Sequence, residues 1–222
     1  MEQTPIHDQH NPDLLRFIPE TAKNIIEVGC SSGALAREFK LAHPDCHWLG
    51  IEIDPHFAQV AQLHCDQTLS MDIESATQDF WGNTVHADCW IFGDTLEHLR
   101  DPWSILRAIR QRIPTHGSVV ACIPNAQHWS IQAKLSIGDF RYETSGLLDR
   151  THLRWFTRQT IFEMFSQTGF NIEAGMSRIF NEPHKDLFLP IIEKMATAAG
   201  VDAELAKQDS LALQYVVRAV PV

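Results

Sequence analysis

The sequence predicts an α/β fold: a doubly wound, mostly parallel sheet of seven strands with helices on both faces and an inserted lid. Three observations predict it. Apolar runs of strand length alternate with amphipathic stretches as far as Asn125. A turn with two glycines joins the first run to the first helical stretch. The alternation then breaks from residue 126 to residue 157 and resumes afterwards.

The strands are predicted from short apolar runs bounded by polar residues or glycine. In chain order they are NIIEVG (24–29), HWLGIEID (47–54), DQTLSMD (66–72), ADCWIFGD (87–94), HGSVVACIPN (116–125), FNIEAGMSRI (170–179) and LQYVVRAV (213–220). The first five alternate with helices, which is typical of a parallel sheet covered on both faces.

Helices are predicted where apolar residues recur every three or four positions. In the first, Leu35 and Phe39 lie on one face, and the second opens with Asp54 as its cap and Pro55 at its first position. The predicted helices are 34–43, 54–64, 101–113, 157–169 and 187–199. The segment 202–210 reads as an acidic tail.

The segment of about 126–157 is predicted to be a lid inserted into a single domain that spans residues 1–222. It has mixed periodicity, contains Gly138 and Gly146, and is rich in aromatic residues. A chain of 222 residues with 44% hydrophobic residues is within the range of one sizeable domain, and no shift in composition suggests a second.

Composition limits the partners and the compartment. The formal charge of -10 disfavours nucleic acid, and no apolar run reaches the roughly 20 residues of a membrane helix. Five scattered cysteines without a CxxC pair indicate reduced, mostly buried thiols. Without a secretory leader, a soluble cytoplasmic protein is expected, with no membrane partner and an unknown oligomeric state.

The glycine turn in EVGCSSG does not match either common phosphate-binding pattern. A P-loop needs GxxxxGK[ST], and a dinucleotide fold needs GxGxxG. Gly29 and Gly33 are separated by three residues, no lysine directly follows Gly33, and no third glycine occurs before Gly50. The remaining pattern is an acid, Glu27, two residues before the first glycine. We expect Gly29 to let a ligand approach the backbone and Gly33 to let the helix pack against the strand.

EVGCSSG resembles the first motif of the class I S-adenosylmethionine-dependent methyltransferases, usually written D/E-x-G-x-G-x-G. Later segments match the family in order: LGIEID, MDIE, GDTLEHLRDP and IPN. The resemblance implies a Rossmann-like fold and S-adenosyl-L-methionine as the cofactor. One position departs from the motif, because Ser31 replaces its middle glycine. A left-handed backbone there would cost about 1 kcal/mol.

The resemblance also implies which residues contact the cofactor. Glu52 matches the acid that accepts hydrogen bonds from both ribose hydroxyls, and Asp72 matches the acid for the adenine amino group. The main-chain amide of Ile73 follows as the partner of an adenine ring nitrogen. The full expected cofactor-binding set is Glu27, Gly29, Cys30, Ser31, Gly33, Glu52, Ile53, Asp72, Ile73 and Asp94.

The acceptor is expected to be a small molecule. GLLDRTHLRWFT resembles a segment of bacterial members linked to sugar and polysaccharide biosynthesis, and no Asn-Pro-Pro-Tyr type motif follows the fourth strand. A hydroxyl oxygen of a sugar-like or anionic metabolite is therefore favoured over nitrogen. Two alternatives remain open: an N-methyltransferase, and a catalytically idle cofactor-binding module that serves as an interaction protein.

Two of the twelve histidines are candidates for the general base that a hydroxyl acceptor requires. His98 follows the fourth strand, and His152 lies in the lid. Either could equally be a structural residue that only makes hydrogen bonds.

Two arginines of the lid, Arg150 and Arg154, are candidates for binding an anionic acceptor. The alternative is that they pair with Asp149 and Glu143 and hold the lid together. A metal site built from Asp94, Glu97 and His98 was weighed, and no metal is predicted, because one loop with oxygen and imidazole ligands is weak evidence.

Overall fold

A computed structural model describes residues 8–83 and 87–222 of the chain, and it has the predicted fold class. The described residues form one sheet of seven strands. The strands are β1 (Asn24–Val28), β2 (His47–Glu52), β3 (Gln67–Ser70), β4 (Cys89–Gly93), β5 (Ser118–Pro124), β6 (Phe170–Arg178) and β7 (Gln214–Pro221). Six of these strands lie inside the run predicted for them, and β7 ends one residue after its predicted run.

The strand order is β3-β2-β1-β4-β5-β7-β6. Strand β7 runs antiparallel to both of its neighbours, β5 and β6, while the other described pairs are parallel. The chain moves outward from β1 to β3 and then returns to place β4 on the other side of β1. The carboxyl ends of β1 and β4 therefore flank the point where strand order reverses, which is where open α/β sheets bind ligands.

The helices cover both faces of this sheet. The described α-helices are α1 (Pro12–Phe17), α2 (Ala34–Ala42), α3 (Pro55–Ala61), α4 (Gln78–Asn83), α5 (Pro102–Arg110), α6 (Trp129–Ser136), α7 (Arg158–Gln167), α8 (Lys185–Ala198) and α9 (Ala203–Leu211). The sequence did not predict α1, whose first amides are capped by Asn11. The predicted acidic tail is instead α9, which Asp202 caps and which leads into β7.

The predicted lid contains α6, which the sequence did not resolve from the irregular chain around it. Both ends of this segment meet at the end of β5, where Asn125 pairs with Phe156 in an isolated bridge. The buried Asn125 amide also donates to the carbonyls of Asp209 and Ala212 at 2.7 and 2.8 Å. The lid is therefore anchored to the sheet through β5 and the residues that precede β7.

Alternate residues of the central strands belong to two hydrophobic clusters, one on each face of the sheet. In β4, Trp90 and Phe92 belong to the first cluster, and Cys89 and Ile91 belong to the second. This burial on both faces explains why the strands read as continuous apolar runs. None of the described helices has the length and apolar character needed to cross a membrane.

Candidate active site

The glycine turn between β1 and α2 has three residues in the left-handed backbone region. Gly29 and Gly33 both have φ of +77°, and Ser31 has φ of +47°. The backbone of Ser31 is therefore strained, because a residue with a Cβ is disfavoured in the left-handed region. The amides of Gly29 and Cys30 donate to the carbonyl of Ile51 at 2.8 and 3.2 Å, which fixes the turn against the end of β2.

The two glycines are required by different neighbours. A Cβ on Gly29 would lie 2.5 Å from Oγ1 of Thr95, whose hydroxyl donates to the carbonyls of Val28 and Gly93. A Cβ on Gly33 would lie 3.2 Å from backbone atoms of Ala61, at the end of α3. Gly33 was expected to let the helix pack against the strand. That expectation is wrong, because this glycine permits close packing of the turn against α3.

Glu52 connects the turn to the loop after β2. Its Oε2 accepts from the amide of Ser31 at 2.9 Å, its Oε1 accepts from the amide of Asp54 at 3.0 Å, and the residue is 5% exposed. Each carboxylate oxygen keeps a further acceptor position. Asp54 itself caps α3 through the amides of His56 and Phe57, as its place before Pro55 indicated.

Glu27 lies behind the turn and contacts protein atoms. Its Oε2 accepts from Nε1 of Trp48 at 3.1 Å, and burial raises the pKa of this carboxyl. The buried thiol of Cys30 lies beside Cys65, and the hydrogen bond between them and burial raise the pKa of Cys30. Both side chains support the turn from the protein interior, and a protonated thiol there is not a nucleophile.

The remaining expected cofactor contacts lie around the ends of β3 and β4. Asp72 accepts from the amide of Glu74 at 2.9 Å and pairs with Arg100 at 3.1 Å. Ile73 is buried, whereas the side chain of Ile53, next to Glu52, is largely exposed. Asp94 follows β4 with φ of +51° and accepts a hydrogen bond from the side chain of Gln214.

His98 and His152, the two candidate bases, are brought together. Their ring centroids are 4.8 Å apart, with the rings edge to face. Nδ1 of His98 faces the carbonyl of Thr151 at 3.1 Å, and Nδ1 of His152 faces the carbonyl of Leu147 at 3.2 Å. Burial lowers the pKa of both imidazoles, and for His152 the neighbouring His98 lowers it further.

Glu97 completes this cluster. It is fully buried, and Nε2 of His152 lies 4.0 Å from its Oε1. Ligand atoms of Glu97, His98 and His152 all lie within 4.8 Å of one another. Burial and the nearby charges of Asp94 and Asp149 raise the pKa of the Glu97 carboxyl.

The backbone ties this part of the lid to the loop after β4. The amides of Leu153 and Arg154 donate to the carbonyl of Glu97 at 2.8 and 2.9 Å. The sequence grouped Glu97 and His98 with Asp94, whereas the described residues group them with His152, which is far away in the chain. The sequence pointed to His152 as a candidate base, but no pattern in it indicated that His152 would lie beside Glu97 and His98.

The lid arginines do not form the ion pairs that were considered. Lys134 pairs with Glu143, and Asp149 accepts from the amide and hydroxyl of Thr151. Arg150 is exposed, and Arg154 donates to the carbonyl of Arg100. Among the described residues neither arginine forms an ion pair, so the alternative in which they pair with Asp149 and Glu143 is wrong, although Arg154 does connect the lid to Arg100.

Comparison with known proteins gives a family match and a relative of the same class. A family model described as a methyltransferase domain matches residues 7–174. A ubiquinone biosynthesis O-methyltransferase from Yersinia pestis (strain Pestoides F) is 29% identical over 126 residues, which are 53% of this chain and 51% of that protein. The chain therefore spans about half the length of the relatives it matches.

Solved structures share the fold at low sequence identity. An S-adenosylmethionine dependent methyltransferase from Mesorhizobium loti has a TM-score of 0.60 and 17% identity, covering 94% of this chain and 96% of that one. A magnesium protoporphyrin IX methyltransferase from Synechocystis PCC 6803, with bound SAH, has a TM-score of 0.58 and 10% identity, covering 95% and 81%. Identities this low support the fold alone.

Proposed function

Because the chain belongs to the methyltransferase domain family, we propose that it transfers the methyl group of S-adenosyl-L-methionine to a hydroxyl oxygen of a small molecule. One observation carries this proposal: the glycine turn and Glu52 lie at the ends of β1 and β2, and Glu97 and His98, which His152 of the lid joins, follow β4. These three strands are neighbours in the sheet. The name of the matched relative, an O-methyltransferase, supports oxygen as the acceptor atom.

The cofactor is assigned to the crevice at the ends of β1 and β4. Glu52 has further acceptor positions on both carboxylate oxygens for the ribose hydroxyls, and the exposed Ile53 offers an apolar surface for the adenine ring. Gly29 keeps the backbone of the turn free of a side chain where Thr95 approaches. Glu27 and Cys30 lie on the interior side of the glycine turn and stabilise its conformation.

The chemistry requires positioning and the removal of one proton. A lone pair of the acceptor oxygen attacks the methyl carbon, and the pair of the breaking C–S bond goes to the sulfonium sulfur, which leaves as a thioether. The hydroxyl proton passes to Nε2 of His152 or His98, since Nδ1 of each ring faces a backbone carbonyl. A depressed pKa keeps these rings neutral, and therefore able to accept, at neutral pH.

The acceptor is proposed to be sugar-like or anionic. Arg150 is exposed and forms no ion pair among the described residues, and the backbone amide of Arg154, in the lid, donates to the carbonyl of Glu97. A carboxylate or phosphate on the acceptor is the partner that guanidinium groups suit best. A role in polysaccharide biosynthesis is part of the same proposal.

The test is release of S-adenosylhomocysteine from purified protein supplied with S-adenosylmethionine and separate panels of hydroxyl compounds and amines. We expect release with a hydroxyl compound, whose mass increases by one CH₂ unit. His152→Ala should lower turnover roughly 10²- to 10⁴-fold while cofactor affinity stays nearly unchanged. Methylation confined to the amine panel would refute oxygen as the acceptor, and failure to bind the cofactor would refute the activity altogether.

A further inference from the structure

The carboxylate of Glu97 is buried without a hydrogen-bond donor. Glu97 is 0% exposed, and neither Oε1 nor Oε2 has a hydrogen-bond partner among the described residues. An unpaired, ionised carboxylate in such a place is costly, so it requires either a proton or a cation. Two imidazoles lie beside this carboxylate, those of His98 and His152, and Nε2 of His152 is 4.0 Å from Oε1 of Glu97.

The two imidazoles are oriented as metal ligands usually are. Nδ1 of His98 and Nδ1 of His152 each face a backbone carbonyl, so these nitrogens carry the proton. Nε2 of each ring then has a free lone pair, and Nε2 of His152 is on the side of Glu97. Carbonyl partners of this kind fix the tautomer of a histidine that binds a metal.

We propose that Glu97, His98 and His152 bind one divalent cation of the zinc class, with further coordination positions open to the acceptor. Two imidazole nitrogens and one carboxylate oxygen, with an open position, form the donor set of many catalytic zinc sites. The donor atoms lie within 4.8 Å of one another. Ligands of a tetrahedral zinc ion are roughly 3.3 Å apart, so binding draws the three side chains inward.

The charge around the cluster favours a dication. Asp94 and Asp149 are close enough to act electrostatically on Glu97, and Asp149 also acts on both histidines. The cation site itself does not depend on the proposed function; its role toward the acceptor does. Coordination of an acceptor hydroxyl would lower its pKa, so that its proton leaves to solvent before the oxygen attacks the methyl group. His98 and His152 would then be ligands and not bases.

The site also joins two segments that are distant in sequence. Glu97 and His98 follow β4, whereas His152 belongs to the lid, whose residues 153 and 154 are already bonded to the carbonyl of Glu97. A cation held between them would fasten the lid over the end of β4. We therefore expect cation binding to raise the melting temperature as well as to support methyl transfer.

The experiment measures the cation directly. Full-length protein is stripped with a chelator and titrated with Zn²⁺ by calorimetry, and with Co²⁺ by visible absorption, which reports nitrogen ligation. We expect one site per chain in the parent. Glu97→Gln and His152→Ala should each weaken binding at least about tenfold. Exposed His116 lies in the turn before β5, so His116→Ala is the matched control and should bind as the parent does.

Two variants distinguish the loss of a cation ligand from misfolding of the protein. Glu97→Gln keeps the size of the side chain and removes a buried charge, so circular dichroism should show a folded protein. His98→Gln gives a second ligand variant in case His152→Ala disturbs the lid. The proposal is overturned if the folded parent binds neither ion, or if Glu97→Gln binds both ions as tightly as the parent.

Failure of this inference and failure of the proposed function give different results. Chelated protein that binds S-adenosylmethionine and methylates a hydroxyl compound at the parental rate would overturn the role of the cation toward the acceptor and leave methyl transfer intact, while the titrations decide whether the site exists. Protein that binds the cation at Glu97, His98 and His152 but methylates no compound would support the cation site while refuting the proposed function.

Discussion

At the scale of single residues, Glu52 combines a role that the structure shows with one that we propose. It accepts the amides of Ser31 and Asp54, which fixes the glycine turn, and it is assigned the ribose of the cofactor. Loss of hydrogen bonds to a charged acceptor costs roughly 1.5 to 3 kcal/mol each. We predict that Glu52→Ala lowers cofactor affinity at least tenfold in a calorimetric titration.

The neighbouring Asp54 provides the control for that measurement. Asp54 caps α3 with its side chain, so Asp54→Ala should lower stability by about 1 kcal/mol while cofactor affinity stays near the parental value. Equal affinity in Glu52→Ala and the parent would contradict the ribose assignment. A larger loss in Asp54→Ala than in Glu52→Ala would transfer that assignment to Asp54.

Glu27 predicts a dependence of stability on pH. Burial raises the pKa of its carboxyl in the folded protein above the value in the unfolded chain. The folded state therefore keeps the proton longer, and the stability contributed by Glu27 falls as the pH rises from the unfolded pKa toward the folded one. Glu27→Gln removes this dependence and retains an acceptor for Trp48.

The measurement compares free energies of unfolding in denaturant between pH 5 and pH 8. The stability of Glu27→Gln relative to the parent should increase with pH across this range, because the parent alone loses the contribution of a protonated Glu27. A difference that stays constant with pH would show that the carboxyl titrates alike in the folded and unfolded states.

At the scale of elements, the turn between β1 and α2 depends on its glycines for two reasons. Gly29 has a positive φ and also lies against Thr95, so a methyl group there causes both backbone strain and a clash. Gly200 has a φ of +73° with no atom within 4 Å of the added Cβ, so it isolates the strain alone.

We predict that Gly200→Ala loses about 1 kcal/mol of stability and keeps its cofactor affinity. Gly29→Ala should lose more stability than Gly200→Ala and should bind the cofactor at least about tenfold more weakly, since Thr95 must move away from the turn. Denaturant unfolding and calorimetry measure the two effects separately. Unchanged cofactor affinity in a folded Gly29→Ala protein would mean that the turn has only a structural role.

At the scale of the whole molecule, the assignment to the class I S-adenosylmethionine-dependent methyltransferases is confirmed by the family match over residues 7–174 and by the sheet order. The single domain remains a prediction. It implies one cooperative thermal transition that the cofactor product shifts as a unit.

S-adenosylhomocysteine at a free concentration of about a hundred times its dissociation constant should raise the free energy of unfolding by about 2.7 kcal/mol. For a chain of this length that corresponds to a rise in melting temperature of about 5 to 11 °C. Scanning calorimetry with and without S-adenosylhomocysteine measures this rise, and Glu52→Ala should show a smaller one. Two separate transitions, of which one is insensitive to the ligand, would contradict a single domain.

The sequence by itself determined the strands of the sheet and the glycine turn between β1 and α2. Apolar runs such as those of β1, β4 and β5 are buried on both faces, so their pattern is local and readable. Short helices were harder: α1 has six residues and depends on the Asn11 cap and on packing against the rest of the chain. The helix α9 was mistaken for a tail because its composition is polar and its role is to lead into β7.

Only the tertiary structure decided how the candidate residues are grouped. His98 and His152 were alternatives in the sequence, and folding places their rings 4.8 Å apart beside the buried Glu97. The side chain of Glu27 accepts a hydrogen bond from Trp48, a contact that the sequence did not indicate, and its contact with the cofactor stays a prediction. The physical reason is that a strand pattern specifies which faces are buried, whereas contacts between a loop and a distant lid depend on loop closure and packing, which have no local signature.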